Sequence, residues 1–300
     1  MHQQSDINAV ISMIETLRGA NLQSRTPAWI DDRVYELLGK HQILGITRSK
    51  GQIWHRARKA SDRDGYRSLH EMIYPPASLV DYGRANLPKS PVLYASWNVN
   101  TAYDEISALP GNYIQTISIR PVAGVEYPCA VVGEYHSILT SGRSLVNSRL
   151  TEQRVASEYE PDGTAHLVPQ YIDAFLADIF RRAITKPHEY RLSAIVAHLV
   201  TGKNWGLIYP SFHVAHSMNI AVPMGAFNAA FEVISTAVLQ IDRALGYGIY
   251  EAKLVKASST FHRDGTIDWE AENTLLASWN LQEGVRTLED PAGWRVTAPT

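Results

Sequence analysis

Residues 81–106, "DYGRANLPKSPVLYASWNVNTAYDEI", decide how this chain is read. A Gly-Arg-Ala-Asn turn leads into the short apolar run "SPVLYAS", and the polar segment after it, "TAYDEI", begins a helix. Gly83 is expected to give the turn a backbone conformation that other residues resist. Arg84 then stands at the mouth of the strand that contains Tyr94. Glu105 falls at the start of the expected helix, where the positive end of the helix dipole favours a carboxylate, and the adjacent Asp104 competes for that role. Taken singly, these are a turn arginine, a half-buried tyrosine and a first-turn glutamate.

Working outward, "QIWHRAR", "YIQTISIRP" and "VEYPCAVVG" are short strand-like pieces separated by Gly, Pro, Asn and Asp. In "IWHRAR" a period of two sends Trp54, Arg56 and Arg58 to one face and His55 and Ala57 to the other. Two arginines beside an aromatic suit a phosphate-bearing ligand, because guanidinium forks bind such oxygens bidentately. On its own the stretch reads as a solvated edge strand.

Before these strands, Ser5 is expected to cap a helix carrying Ile7, Val10, Ile11 and Ile14 that stops near Gly19. Thr26-Pro27 opens a second helix with Ile30, Val34, Leu37 and Leu38 on one face before Gly39. After the strands, residues 139–166 read as an irregular polar loop. Pro169 opens an amphipathic helix with Ile172, Phe175, Leu176, Ile179 and Ala183 on one face, and Pro187 another with Leu192, Ile195, Val196 and Leu199. The pair reads as a hairpin packed on a sheet. "NWGLIYPSF" returns to a strand, "FEVISTAVLQI" and "GIYEAKLVKAS" are strand-like or ambiguous, and "TIDWEAEN" is a short strand or a helix start. Helices interrupt the strands rather than alternating with them, so α+β is the expected class.

The length, 300 residues, allows one large domain or two small ones. With 45% hydrophobic and 19% charged residues and a formal charge of −2, bulk charge announces neither nucleic acid nor membrane binding. Cys129 is the sole cysteine, which excludes an intramolecular disulfide or a thiolate metal cluster and suits a reducing compartment. The opening "MHQQSDINAVISMIETLRG" has no basic stretch followed by an apolar one, and no apolar run is long enough to span a bilayer, so a cytoplasmic location is expected. Phosphate-loop, dinucleotide-fold, zinc-protease and serine-hydrolase signatures are missing. In "SFHVAH", His213 and His216 could ligate a metal only with a third ligand that the sequence does not identify, so no metal is expected. Ser211 ends "GLIYPS" as a turn or cap residue with nothing to mark it as an activated nucleophile.

Read in order, "RAR" (56–58), "PP" (75–76), "GRAN" (83–86), "LY" (93–94), "TAYDE" (101–105) and "GLIYPS" (206–211) resemble the RES domain. That family is named for its Arg, Glu and Ser and includes toxins of bacterial toxin–antitoxin pairs that degrade NAD. The resemblance covers roughly residues 50–225, with intervals of ten residues from Arg84 to Tyr94 and eleven from Tyr94 to Glu105 that fit its pattern. It implies an ADP-ribosyltransferase-like core, a mixed split β-sheet with flanking helices and NAD in a central cleft. It also implies catalytic roles for Arg84, Tyr94, Glu105 and Ser211, with Arg84, Tyr94, Ser211 and either Arg56 or Arg58 holding the ligand.

On that reading residues 1–46 are an N-terminal helical extension. Residues 47–300 are then the RES-like domain, with a helical hairpin insertion at 167–201 and a β-rich C-terminal extension. The chain is longer than the compact family toxins, which leaves partner and acceptor open. The implied activity is NAD phosphorylase or NAD glycohydrolase, without a cofactor, NAD being substrate and inorganic phosphate a candidate co-substrate for which Lys203 would supply a cation. Glu105 would offset the positive charge of the ribosyl species, Arg84 with Arg56 or Arg58 would anchor phosphate or ribose oxygens, Tyr94 would stack on the nicotinamide or its ribose, and Ser211 would orient the ribose. The implied partners are a DNA-binding antitoxin of the Xre type and a second copy of the chain, with no direct nucleic-acid contact. Transfer of ADP-ribose to a macromolecule and a non-catalytic nucleotide-binding module are the rival readings. A glycoside hydrolase fits poorly, because Asp104 and Glu105 are not an obvious pair of separated carboxylates.

Overall fold

The computed structural model describes residues 2–48, 52–158, 164–202, 204–214 and 216–269. In chain order its elements are α1 (His2–Arg18), α2 (Pro27–Leu38), β1 (Gly45–Arg48), β2 (Trp54–Ala60), β3 (Val92–Ser96), α3 (Val99–Glu105), β4 (Tyr113–Pro121), β5 (Tyr127–Val131), α4 (Glu134–Ser141), α5 (Arg149–Glu158), α6 (Leu167–Arg181), α7 (Arg191–Thr201), β6 (Gly206–Pro210), β7 (Met218–Pro223), α8 (Met224–Ala230), β8 (Phe231–Gly246), β9 (Ile249–Ser258), β10 (Thr260–Phe261) and β11 (Ile267–Asp268). The class is α+β, a large mixed sheet with helices.

Nine strands form one sheet in the order β1-β5-β6-β7-β3-β2-β4-β8-β9, in which β5 and β6 are parallel and every other pairing is antiparallel. The sheet is nearly divided. β3 pairs with β7, and β2 with β4, along their whole lengths, whereas β2 and β3 meet through the single pair His55–Ser96. β2 is therefore an interior strand, not the solvated edge strand that "IWHRAR" suggests in isolation.

Alternation along β3, β5 and β6 sorts the core. Val92, Ala130, Leu207 and Tyr209 face a layer made by α1, α2, α6 and α7, while Leu93, Ala95, Cys129, Val131 and Ile208 join Trp54, Ile117, Ile119 and Phe231 on the other side. α1 contributes Val10, Ile14 and Leu17 and α2 contributes Ile30, Val34 and Leu37 to the cluster that holds Phe175, Phe180 and Ile195. The N-terminal pair and the α6–α7 hairpin thus share one core. A third cluster packs Ala102 and Tyr103 of α3 on Ala57, Ile114, Leu239 and Tyr250.

Several boundaries differ from expectation. α1 starts at His2, so Ser5 lies inside it. Thr26 does cap α2, accepting from Trp29 N at 3.2 Å, with Pro27 in the first turn. α6 starts at Leu167, ahead of Pro169, and ends before Ala183. The segment 139–166, expected to be loop, carries the end of α4 and all of α5. Sequence hides α5 because only Thr151 and Val155 in it are buried, too few for an apolar period. α4 is held by side chains from afar: buried Asp173 of α6 accepts from Gly133 N (2.9 Å) and His136 N (3.0 Å) at its start. "FEVISTAVLQI" and "GIYEAKLVKAS" resolve as the β8–β9 hairpin, and "TIDW" holds β11. Lys203 and the rest of "TIDWEAEN" after Trp269 lie outside the described residues.

Candidate active site

α3 places the two acidic residues of "TAYDEI" at the opposite end of the helix from the expected one. Asn98 starts the helix, its side chain accepting from Asn100 N at 2.8 Å. The helix stops in a Schellman turn, with Ser107 at φ 49°, Ser107 N bonded to Asp104 O and Ala108 N to Tyr103 O. Asp104 and Glu105 therefore occupy the last turn, where the helix dipole disfavours a carboxylate. Each is met by dedicated donors instead. Tyr250 donates to Asp104 Oδ1 at 2.5 Å, and burial raises the Asp104 carboxyl above the usual range.

Glu105 faces the other way. Its Oε1 accepts from Ser211 Oγ at 2.8 Å and from Asn219 Nδ2 at 2.7 Å. Asn219 is itself oriented by Ser96 Oγ, which donates to its Oδ1 at 2.7 Å. These partners sit at the ends of β6, β7 and β3, which the sheet order brings side by side. Oε2 is left facing His213, whose Nε2 lies 3.9 Å away. Ser211 donates its hydroxyl proton to Glu105 and accepts from His213 N and Val214 N at 3.1 and 3.3 Å. Its hydroxyl therefore orients the carboxylate.

The turn before β3 is fixed by Tyr94. The phenol donates to Asn86 Oδ1 at 2.7 Å and accepts from Ala85 N at 2.8 Å, and burial raises its pKa far above the ordinary tyrosine value. Gly83 is needed for space, not for an unusual backbone: its φ is not positive, and a Cβ there would stand 2.3 Å from Asn86 Oδ1 and 3.0 Å from the Tyr94 hydroxyl.

Arg84 swings from that turn to the end of α6, where Nη1 donates to Phe180 O (2.8 Å) and Arg182 O (3.1 Å), carbonyls left over by the helix end. Its guanidinium lies 5.7 Å from the Tyr190 ring and 6.0 Å from the Phe212 ring. Among the described residues, neither Nε nor Nη2 of Arg84 has a hydrogen-bond partner. Tyr209, buried on β6, joins these groups: burial, then the nearby Tyr94 and Glu105, pushes its hydroxyl well above the ordinary value, with Arg84 opposing.

Arg56 and Arg58 part company. Where β2 and β3 diverge, Arg56 donates from Nε to Met72 O at 2.7 Å and from Nη1 to Tyr94 O at 3.3 Å, bridging the opening. Burial, aided by the charge of Arg58, lowers its pKa to about 10. Arg58 lies farther out, bonded to Glu71 O and stacked 4.6 Å from the Tyr66 ring centroid. Its face agrees with the period-two reading, since Arg56 and Arg58 both donate to carbonyls of the 69–72 turn.

The structure thus gathers Arg84, Tyr94, Glu105 and Ser211, with Arg56 behind Tyr94 and Arg58 apart. Tyr190, Tyr209, Phe212, His213 and Asn219 complete the group. Of these, the sequence singled out only His213, as half of a metal pair; among the described residues no cluster of metal-ligating side chains occurs, and His216 makes no described contact with this group. The β8–β9 tip overhangs the site from one side: a Cβ on Gly248 would lie 3.4 Å from Asp104 Oδ2 and from Val214. Tyr247 beside it is 97% exposed. No described helix is long and apolar enough to cross a membrane. No family model, curated protein or solved structure matches the chain.

Proposed function

We propose that this chain is a RES-like enzyme that cleaves the nicotinamide–ribose bond of NAD. The observation that carries the reading is the state of Glu105: one carboxylate oxygen is held by Ser211 and Asn219, and the other faces the His213 ring at 3.9 Å in a half-exposed space. Nicotinamide in NAD is a cationic leaving group, so it departs with the bonding pair and needs no proton. What the reaction requires is stabilisation of the positive charge left on the ribose. Glu105 Oε2 supplies it, and its partners keep it from turning away. Nε and Nη2 of Arg84 face the diphosphate, and Phe212 and Tyr190 offer flat surfaces for the bases.

The single-pair joint between β2 and β3 supports an ADP-ribosyltransferase-like split sheet. In this reading Arg56 closes the split and Arg58 has no part in binding. A role as a toxin, restrained by a DNA-binding antitoxin, follows from the same resemblance. Incubation of the purified chain with NAD, with and without phosphate, should release nicotinamide together with ADP-ribose or its 1-phosphate. Recovery of intact NAD would sink the proposal. Label from NAD found on a macromolecule would replace cleavage by ADP-ribosyl transfer, and saturable NAD binding with no nicotinamide released would leave a binding module.

A further inference from the structure

We propose that His213 is the general base of the reaction and that water is the acceptor it serves, an inference that rests on the NAD-cleaving reading above. His213 Nε2 and Glu105 Oε2 are 3.9 Å apart, too far for a direct hydrogen bond. They are well placed to share one small ligand. An oxygen at about 2.8 Å from each would see them roughly 90° apart, near the angle at which the two hydrogens of a water leave its oxygen. One hydrogen then points to Oε2 and the other to Nε2, and a lone pair is left for the ribose.

The imidazole is held for this task. Ser211 Oγ accepts from His213 N and Val214 N, Ser211 N donates to Ser217 O at 2.8 Å, and Ser217 Oγ shares a 2.7 Å hydrogen bond with Thr101 Oγ1 of α3. The ring packs edge-on to Phe212 at 4.9 Å between centroids. The side chains of His213 and Glu105 are 34% and 28% exposed, so the space between them opens to solvent. The charged groups facing the ring are Glu105 and Asp104, both carboxylates.

That environment discriminates between acceptors. Phosphate needs no base and so makes no use of His213. Water needs both a base and an acceptor for its second hydrogen. In the balanced step, the bond from the anomeric carbon to nicotinamide breaks with its electron pair going to the ring nitrogen. The water oxygen bonds to that carbon, and its proton passes to His213 Nε2 and then to solvent. NAD and water give ADP-ribose, nicotinamide and a proton.

The test uses the full chain and azide, a nucleophile that carries no proton to remove. His213→Ala should lower nicotinamide release in water about 100-fold. Azide should restore release and yield ADP-ribosyl azide. His213→Gln, which keeps a planar side chain against Phe212, should show the same loss and rescue with an unchanged melting temperature. The inference is overturned if His213→Ala keeps the wild-type rate, if azide fails to raise release in both variants, or if the wild-type chain releases nicotinamide only with phosphate, forming the 1-phosphate. If the wild-type chain releases none with any acceptor, the NAD reading itself falls.

Discussion

The strands β1-β5-β6-β7-β3 are covered by helices, whereas β2-β4-β8-β9 are ordered by long antiparallel ladders. In the first half, apolar residues on both faces of short strands are buried, with α6 and α7 supplying the cover. In the second half, pairing runs from Trp54–Ile119 through β8 into a hairpin whose tip is solvated, and α3 covers part of one face. The two constructions meet at one residue pair, and there neither ladder nor helix satisfies the backbone. Side chains take over, which is why polar and ionisable groups collect at this joint. A place where regular pairing fails is one where charge is held by design of the surroundings.

Glu105 depends on both halves, since α3 packs on β2 while its oxygens are held from β6 and β7. The largest effect is therefore expected there. Glu105→Gln should lower NAD cleavage by about 10³-fold, about 4 kcal/mol in barrier, because an amide keeps the shape and loses the charge. Its melting temperature should stay near that of the wild type. Assay of nicotinamide release beside a thermal melt decides it: equal activity in a folded variant would remove the joint as the seat of chemistry.

The next contrast lies within β2. Arg56→Met leaves Met72 O and Tyr94 O without a donor at a partly buried position and should cost about 2 kcal/mol of stability. Arg58→Met, which loses only a solvent-exposed hydrogen bond to Glu71 O, should cost under about 1 kcal/mol. Urea unfolding of both variants measures the difference. Equal losses would mean that Arg56 does not brace the split.

These two arginines also mark how far the sequence could be read. Its period of two puts Trp54, Arg56 and Arg58 on one face, but nothing local says that β2 loses its neighbour after His55, and that loss separates their roles. The strand in "GLIYPS" is legible because burial on both faces writes itself as an apolar run, and that in "YIQTISIRP" because β-branched isoleucines and threonine fall in a short stretch between turn residues. The helix of Glu105 was legible as a helix and misplaced by a turn, because the cap Asn98 lies upstream of "TAYDEI" in a stretch that reads as strand end. Arg84, Tyr94, Glu105 and Ser211 were found through an ordered motif. Asn219 and Tyr209 escaped because an asparagine and a tyrosine inside buried strands carry no sign until the sheet order is known.

His55 occupies the joint on the face opposite Arg56, bonded to Ser118 Oγ at 3.2 Å. Burial lowers its pKa from 6.5 to about 4. The unfolded chain then binds the proton first, so the contribution is complete above pH 6.5 and falls as pH drops toward 4. The loss should reach at most about 3 kcal/mol. His55→Gln should flatten that part of the stability curve while leaving the curve above pH 7 close to parallel with the wild type. A wild-type chain whose unfolding free energy is level across this window would show that the joint is not dry.

The smallest effect is expected at the far end of the hairpin half. Gly246, Tyr247 and Gly248 take φ of 81°, 55° and 75° in succession. Glycine accepts that region freely, but a tyrosine there sets its Cβ against its own carbonyl at a cost of about 1 kcal/mol. At 97% exposure the ring returns almost nothing by burial. Tyr247→Asn should therefore stabilise the chain by roughly 0.5–1 kcal/mol, since asparagine tolerates the left-handed region better, and a gain of a few degrees in melting temperature would report it. Because Gly248 beside it abuts Asp104 and Val214, the same variant asks whether the hairpin half lends the site more than support. A higher melting temperature with unchanged KM for NAD would confine the ligand to the helix-backed half and the joint, and a higher KM would place the hairpin tip over the bound ligand.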